Sequence, residues 1–300
     1  MEGYLVAMAT FAAFYALLAL GLNLVWGMTG MINLGLVGFY AVGAYVSALL
    51  TKKAGWPMPA GLLAAMLITA VAGTVMALVT ARLRGDYLAI ITLGFSEVVR
   101  LVAANEIWLT NGTDGISGIP GPARGQVTPA TFNLIYLAIV AAVVAIVLVL
   151  MERIRSAPYG RVLRAIRDDD QVTAVAGKPV IVFKVEAFAV SAGVLGLAGA
   201  LYGHYTSFIA PDAFTSLISI YIVLALTAGG TGNNRGAVLG AALVIFFMES
   251  TRFVTGAIPG LKPVQVAAVR EMLIGLALIV VLRVRPAGVL PERLPRARPA

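Results

Sequence analysis

Four ionisable residues lie inside apolar stretches, spaced three apart in two pairs: Glu97 with Arg100, and Glu249 with Arg252. Such charges are costly in hydrocarbon and are read first as functional. At this spacing the partners share a helix face and can neutralise each other. Polar Asn23, Asn33, Thr92 and Ser96 could line the same cavity as Glu97 and Arg100, or simply hydrogen-bond one helix to the next. Neither Glu97 nor Glu249 has an evident nucleophile, metal or acid–base partner nearby in the sequence. Cysteine is absent and His204 is the single histidine, so no thiolate or multi-histidine metal site can form. No G-x-x-x-x-G-K-[ST] occurs. The chain therefore brings no phosphate-cradling loop of its own, and any ATP would have to be bound by another subunit.

Glycines form the second signal. Gly229, Gly230, Gly232 and Gly236 cluster around Asn233, Asn234 and Arg235, and Gly30, Gly35, Gly38 and Gly43 interrupt another apolar run. Interrupted helices in transporters place freed backbone groups around a passage; small residues also simply let helices approach. The 229–236 cluster reads as a functional break or a tight cytoplasmic turn. Its glycine spacing resembles a dinucleotide fingerprint, but the strand and βαβ unit that fingerprint needs are missing.

The elements that must position these residues are membrane helices. Of 300 residues, 60% are hydrophobic and 12% charged, and mean hydropathy is +0.94. At about 20 residues per crossing this suffices for roughly nine spans. The expectation is an all-α polytopic bundle of about nine (8–10) spans with broken helices. The runs are Tyr4–Val25, Met28–Leu50, Met58–Ala81, Tyr87–Ala104, Phe132–Met151, Phe183–Gly203, Phe214–Ala228, Ala237–Val254 and Val266–Leu282. Met28–Leu50 and Tyr87–Ala104 could each be split or re-entrant. A soluble enzyme, a disordered chain and a single-span anchor are excluded by composition. The start, Met-Glu-Gly-Tyr, lacks the positive segment of a secretory signal, so the first run is read as a retained span. A net charge of +8 does not point to nucleic acid, because the basic residues sit in loops between spans. Fifteen Lys and Arg fall on one set of loops and six on the other; the richer side is expected to be cytoplasmic, with the N-terminus outside and the C-terminus inside. The bundle is read as one domain, 1–285, followed by a basic cytoplasmic tail, 286–300.

The inner loop, 152–182, is the most informative. Arg161, Arg164 and Arg167 form a basic amphipathic segment. Asp168, Asp169 and Asp170 then supply an N-cap and negative charge to a short helix from about Asp170, passing through Gln171 and Ala174. Gly177 ends that helix, and Pro179 after Lys178 prevents its continuation. A capped helix outside the membrane suits docking in a partner's groove, or resting on anionic lipid.

In order along the chain stand Leu22-Asn-Leu-Val-Trp-Gly-Met-Thr-Gly30, Gly38-Phe-Tyr-Ala-Val-Gly-Ala-Tyr45, Arg82-Leu-Arg-Gly-Asp-Tyr-Leu-Ala-Ile-Ile-Thr-Leu-Gly-Phe-Ser-Glu97-Val-Val-Arg100, Asn111-Gly-Thr-Asp-Gly-Ile-Ser-Gly-Ile-Pro120, Arg164-Ala-Ile-Arg167, Gly196-Leu-Ala-Gly-Ala-Leu-Tyr202 and Gly229-Gly-Thr-Gly232. Over roughly residues 17–285 this set resembles the permease subunits of bacterial ABC importers for branched-chain amino acids, of the LivM type. The resemblance implies a bacterial inner-membrane permease, itself no enzyme, that forms the substrate pathway with a second permease. It implies two ATP-binding subunits using ATP and magnesium, and an extracytoplasmic substrate-binding protein. The coupling loop would map to Asp169–Lys178; Gln171, Val172 and Thr173 stand where many ABC permeases carry Glu-Ala-Ala. Family relatives handle urea, short amides or aromatic acids, which are the alternative cargoes. Glu97 and Glu249 also motivate an ion-coupled secondary transporter; a membrane-embedded enzyme is a third class, against which the lack of a convincing catalytic cluster argues.

Overall fold

A computed structural model describes residues 2–80, 83, 85–256 and 263–292. It is helical almost throughout. In chain order the helices are α1 (Glu2–Leu22), α2 (Leu36–Lys52), α3 (Met58–Thr80), α4 (Asp86–Asn105), α5 (Ile107–Thr110), α6 (Pro129–Ser156), α7 (Pro158–Asp168), α8 (Asp170–Val175), α9 (Val180–Thr206), α10 (Leu217–Gly229), α11 (Asn234–Gly256) and α12 (Pro263–Val284). Eight of the nine apolar runs each fall on one helix; Met28–Leu50 does not. Among the described residues, seven segments are long and apolar enough to cross a membrane, including Gly3–Gly27 and Pro211–Gly229. Of the rest, α2 is a shorter apolar helix of 17 residues, and the 23-residue α11 carries Arg235, Glu249 and Arg252. With no water to satisfy open backbone in hydrocarbon, helices are the form such runs must take.

One expected span is corrected. Met28–Leu50 is not a continuous crossing: α1 runs on through a π-helical turn, Asn23–Gly27, and α2 begins only at Leu36. The Gly30 and Met31 amides close back onto the Trp26 and Val25 carbonyls. Gly30 has a φ of 72°, which turns the chain out of the helix as αL glycines do at C-termini. Residues 30–35 then run as irregular backbone into α2.

The core is α2, α3 and α9, packed against one another, with α1 joining α9 to α6, α10 and α11. Close approach explains the glycines of α9. A methyl group on Gly199 would collide with the Tyr40 carbonyl of α2, so only glycine lets these backbones meet. Where helices cannot gain from hydrophobic burial alone, such contact packing and interhelical hydrogen bonds hold them together. Ser191 donates to Gly21 O at 2.7 Å and Tyr136 to Leu201 O at 2.6 Å.

On the face opposite the inner loop, the segment between α4 and α6 is folded rather than free. Its strand β1 (Ile116–Ser117) pairs antiparallel with β2 (Phe208–Ile209), which follows α9. The fully buried His204 stands beneath this pair, its Nδ1 2.6 Å from Pro120 O and its Nε2 2.8 Å from Ser47 Oγ. A carbonyl only accepts, so Nδ1 carries the proton and Nε2 accepts from Ser47. His204 on α9 thereby joins the segment between α4 and α6 to α2.

Candidate functional site

The unwound segment 30–35 is held by side chains from two other helices. The Thr92 hydroxyl on α4 accepts from Leu34 N at 3.1 Å and donates to Ala89 O at 3.0 Å. Ser219 on α10 donates to Leu34 O at 2.7 Å. Asn33 is 1% exposed, and its Oδ1 accepts from Gly35 N at 3.0 Å. That bond fixes the amide's orientation and leaves Asn33 Nδ2 buried with no hydrogen-bond partner among the described residues. Ser96, one turn along α4, is buried and donates to Leu93 O at 2.7 Å. Asn33 and Thr92 thus come together at one break in the bundle, as polar groups do at broken transporter helices, whereas Ser96 packs beside Gly38 within α2.

Glu97 and Arg100 occupy a different face of α4. Arg100 Nε lies 3.1 Å from both carboxylate oxygens of Glu97, and the guanidinium closes a second bond to Oε1. The pair is open to the surroundings, at 43% and 26% side-chain exposure, and lies among exposed Ile90, Leu93, Val98 and Leu101. An ion pair presented to hydrocarbon is costly, so this face of α4 suits coverage by another protein. The Tyr4 hydroxyl donates to Glu249. The expected partnership of Glu249 with Arg252 lies outside the described side chains.

Asn23 is not at the break. It is fully buried at the start of the π-turn: its Nδ2 donates to Asn234 Oδ1 at 2.8 Å, and its Oδ1 accepts from Gly232 N at 2.8 Å. The glycine cluster is the turn between α10 and α11. Gly229 ends α10, Gly230 (φ 122°) and Gly232 (φ 79°) reverse the chain, and Gly236 packs back against Gly229.

The inner loop carries two helices. Helix α7 is amphipathic and buries Gly160, Leu163 and Ile166 against the bundle. Arg164 donates to Arg155 O at 3.2 Å. Burial, and then the neighbouring Glu186 carboxylate, push the Tyr159 hydroxyl well above its usual value, so at neutral pH it stays a neutral donor. Asp169 caps α8: its Oδ1 accepts from Gln171 N at 2.8 Å and Val172 N at 3.1 Å. Lys184 bridges to Asp170 at 3.0 Å. Helix α8 ends at Gly177 (φ 79°), ahead of Lys178 and Pro179. Gln171, Ala174 and Lys178 are exposed, as are Val172 at 65% and Val175 at 90%. A cleft of about 450 Å³ lies between α7 and α8, lined by Pro158, Arg161, Val162, Ala165, Val172 and Ala176 among others. An exposed, capped helix beside an apolar cleft is a docking geometry.

Arg167 ends α7 and reaches into the bundle. Its guanidinium donates to Gly27 O at the end of the π-turn and pairs with Glu292 at 2.8 Å. Three residues that spacing could not single out complete these arrangements: Ser219, Asn234 and Glu292. Each meets its partner from more than 120 positions away.

The family model for the branched-chain amino acid transport system / permease component matches residues 4–282. The chain is 32% identical to the high-affinity branched-chain amino acid transport system permease protein LivM of Salmonella typhimurium, over 98% of this chain and 71% of that protein. It is 28% identical to the probable branched-chain amino acid transport permease protein LivM of Methanocaldococcus jannaschii, over 93% and 91%. It is 24% identical to LivH of Escherichia coli, a permease protein of the same high-affinity transport system, over 94% and 92%. No solved structure matches the chain. With that family match over nearly the whole chain and seven described segments long and apolar enough to cross a membrane, the chain is a multi-pass membrane protein and belongs to the branched-chain amino acid transport permease components.

Proposed function

We propose that the chain is the membrane subunit of an ATP-driven importer for branched-chain amino acids in the bacterial inner membrane, with its N-terminus outside and its C-terminus in the cytoplasm. It forms the pathway with a second permease that covers α4 at Glu97 and Arg100. Two ATP-binding subunits, which hold the ATP and magnesium, grip α8 and the α7–α8 cleft. An extracytoplasmic protein delivers the substrate to the opposite face. The chain makes and breaks no covalent bond. Nucleotide-driven closure of the ATPases displaces α7 and α8, and the helices around residues 30–35 switch the central cavity from outward- to inward-facing. ATP energy biases that switch only through contacts that differ between the two states. Asn33 and Thr92 at the break, with Ser96 one turn further along α4, are the polar groups that a polar substrate would meet.

The observation that carries this reading is the exposed α8, capped by Asp169 and closed by Gly177, with Val172 and Val175 uncovered. The chain, co-expressed with the second permease and ATPase encoded beside it and reconstituted in proteoliposomes with the neighbouring binding protein, is expected to take up radiolabelled leucine only with ATP. Uptake by the isolated chain, or uptake that ignores ATP and collapses with the proton gradient, overturns it. Urea, a short amide or an aromatic acid out-competing leucine would keep the mechanism and change the cargo.

A further inference from the structure

Four segments distant in sequence converge on the Arg167 side chain. They are the π-turn that ends α1, the turn between α10 and α11, the end of α7 and the stretch 286–292 that follows α12. That last stretch is strapped across the α10–α11 turn: Val289 N donates to Ala228 O at 2.8 Å and Leu290 N to Gly229 O at 2.9 Å. Asn233 Nδ2 donates to Leu290 O at 3.1 Å and Pro291 O at 3.2 Å. The strap delivers Glu292, 15% exposed, to Arg167, 24% exposed. A methyl group on Gly232 would come within 2.7 Å of Glu292 Oε2, so the carboxylate lies directly on the turn. The Gly232 amide in turn holds Asn23, and Gly27, at the end of the same π-turn, accepts from Arg167.

We infer that Arg167 and Glu292 are positioning residues for coupling: together they clamp the cytoplasmic helix pair α7–α8 to the π-turn of α1 and to the α10–α11 turn, so that a displacement of α8 is passed into the bundle as one movement. This rests on the ATP-coupled reading above. The residue after the clamp's arginine-bearing turn is Asp168, and the next is the α8 cap Asp169, so little compliant chain separates the docking helix from the clamp. The bonds are charge-assisted and partly withdrawn from water, the setting in which such pairs hold a geometry. Removing the carboxylate charge strands Arg167 with the Gly27 carbonyl and with Asp168, whose carboxylate is 3.5 Å from Arg167 Nε and 74% exposed.

The test is Glu292→Gln in the assembled, purified transporter in proteoliposomes, measuring leucine taken up per ATP hydrolysed. The expected result is a fall on the order of tenfold, which at about 1.4 kcal/mol per decade is the size of one charge-assisted hydrogen bond. Hydrolysis and thermal stability should stay near wild type, a separation that a merely structural role would not produce. Glu292→Asp, which keeps the charge, is expected to recover most of the ratio, and it carries the test where Glu292→Gln cannot be purified: Arg167→Lys in that background should then lower the ratio. An unchanged ratio in Glu292→Gln, or uptake and hydrolysis falling together, overturns the clamp while leaving the importer in place. Wild-type transporter that shows no ATP-dependent uptake overturns the importer itself, and the clamp with it.

Discussion

Asn23→Ala is the sharpest probe of how the bundle is held at the α10–α11 turn. The side chain is fully buried and makes two bonds, one to the Asn234 amide and one from the Gly232 backbone, each 2.8 Å long. Interhelical hydrogen bonds in membrane proteins average about 0.6 kcal/mol in double-mutant cycles, so two of them set a floor of roughly 1 kcal/mol. Stranding two buried polar groups costs about 1–3 kcal/mol each, so the ceiling is roughly 6 kcal/mol. The Asn234 amide can rotate to seek another partner, since its own Nδ2 has none among the described residues. The Gly232 N–H cannot, being fixed in a turn whose φ is 79°. One group therefore incurs the full penalty and the other little, giving about 2 kcal/mol. At about 2–4 °C per kcal/mol, the melting temperature of the purified protein in detergent should fall about 4–8 °C. A cycle with Asn234→Ala should return a coupling of about 0.6–1.7 kcal/mol. An Asn23→Ala protein that melts with the wild type would show that the link carries no load and refute this account of the turn.

Gly199→Val drives a branched side chain into the Tyr40 carbonyl and should prevent α2 and α9 from meeting, read as loss of folded protein on size-exclusion chromatography of a detergent extract. Asp169→Ala removes the α8 cap, worth about 1 kcal/mol, and deuterium exchange at Gln171 and Val172 should quicken about fivefold while the rest of the chain exchanges as before. Arg100→Gln leaves the Glu97 carboxylate unpaired on an apolar face, a penalty of about 2.5–3.5 kcal/mol at the bilayer centre, so it should lower the yield of inserted protein more than the double change Glu97→Gln with Arg100→Gln does. Equal yields for the two would show that the pair is not held in hydrocarbon.

Local signals in the sequence were read well because they depend on neighbours. Eight of the nine apolar runs form single helices because each is long enough to satisfy its own backbone. The α8 cap and its glycine stop sit within a dozen residues of each other, where Asp, Gly and Pro act through their own backbones. Met28–Leu50 reads as one apolar run that could be split, and hydropathy does not place the split, because apolarity continues across Gly30 and Gly35 and does not register a change of backbone hand. Asn23 was grouped with Asn33 as a lining residue on polarity alone, yet its partners stand 209 and 211 positions away. Arg167 was singled out from the inner loop, but nothing in the spacing of a basic helix tells that one arginine faces inward to a glutamate 125 residues later. Long-range pairing of this kind is a property of the packed bundle, and periodicity carries no trace of it.

The strap over the α10–α11 turn has a bearing on biogenesis. It joins the chain's opening helix to a stretch that follows its twelfth, so the knot of contacts around Arg167 can close only after every intervening crossing has been threaded into the bilayer. Closure spans almost the full contour of the polypeptide, which makes it a late and slow event in maturation. The α8 cap closes between near neighbours, Asp169 with Gln171 and Val172, and can form early, whereas the Arg167–Glu292 contact must wait for the last crossing.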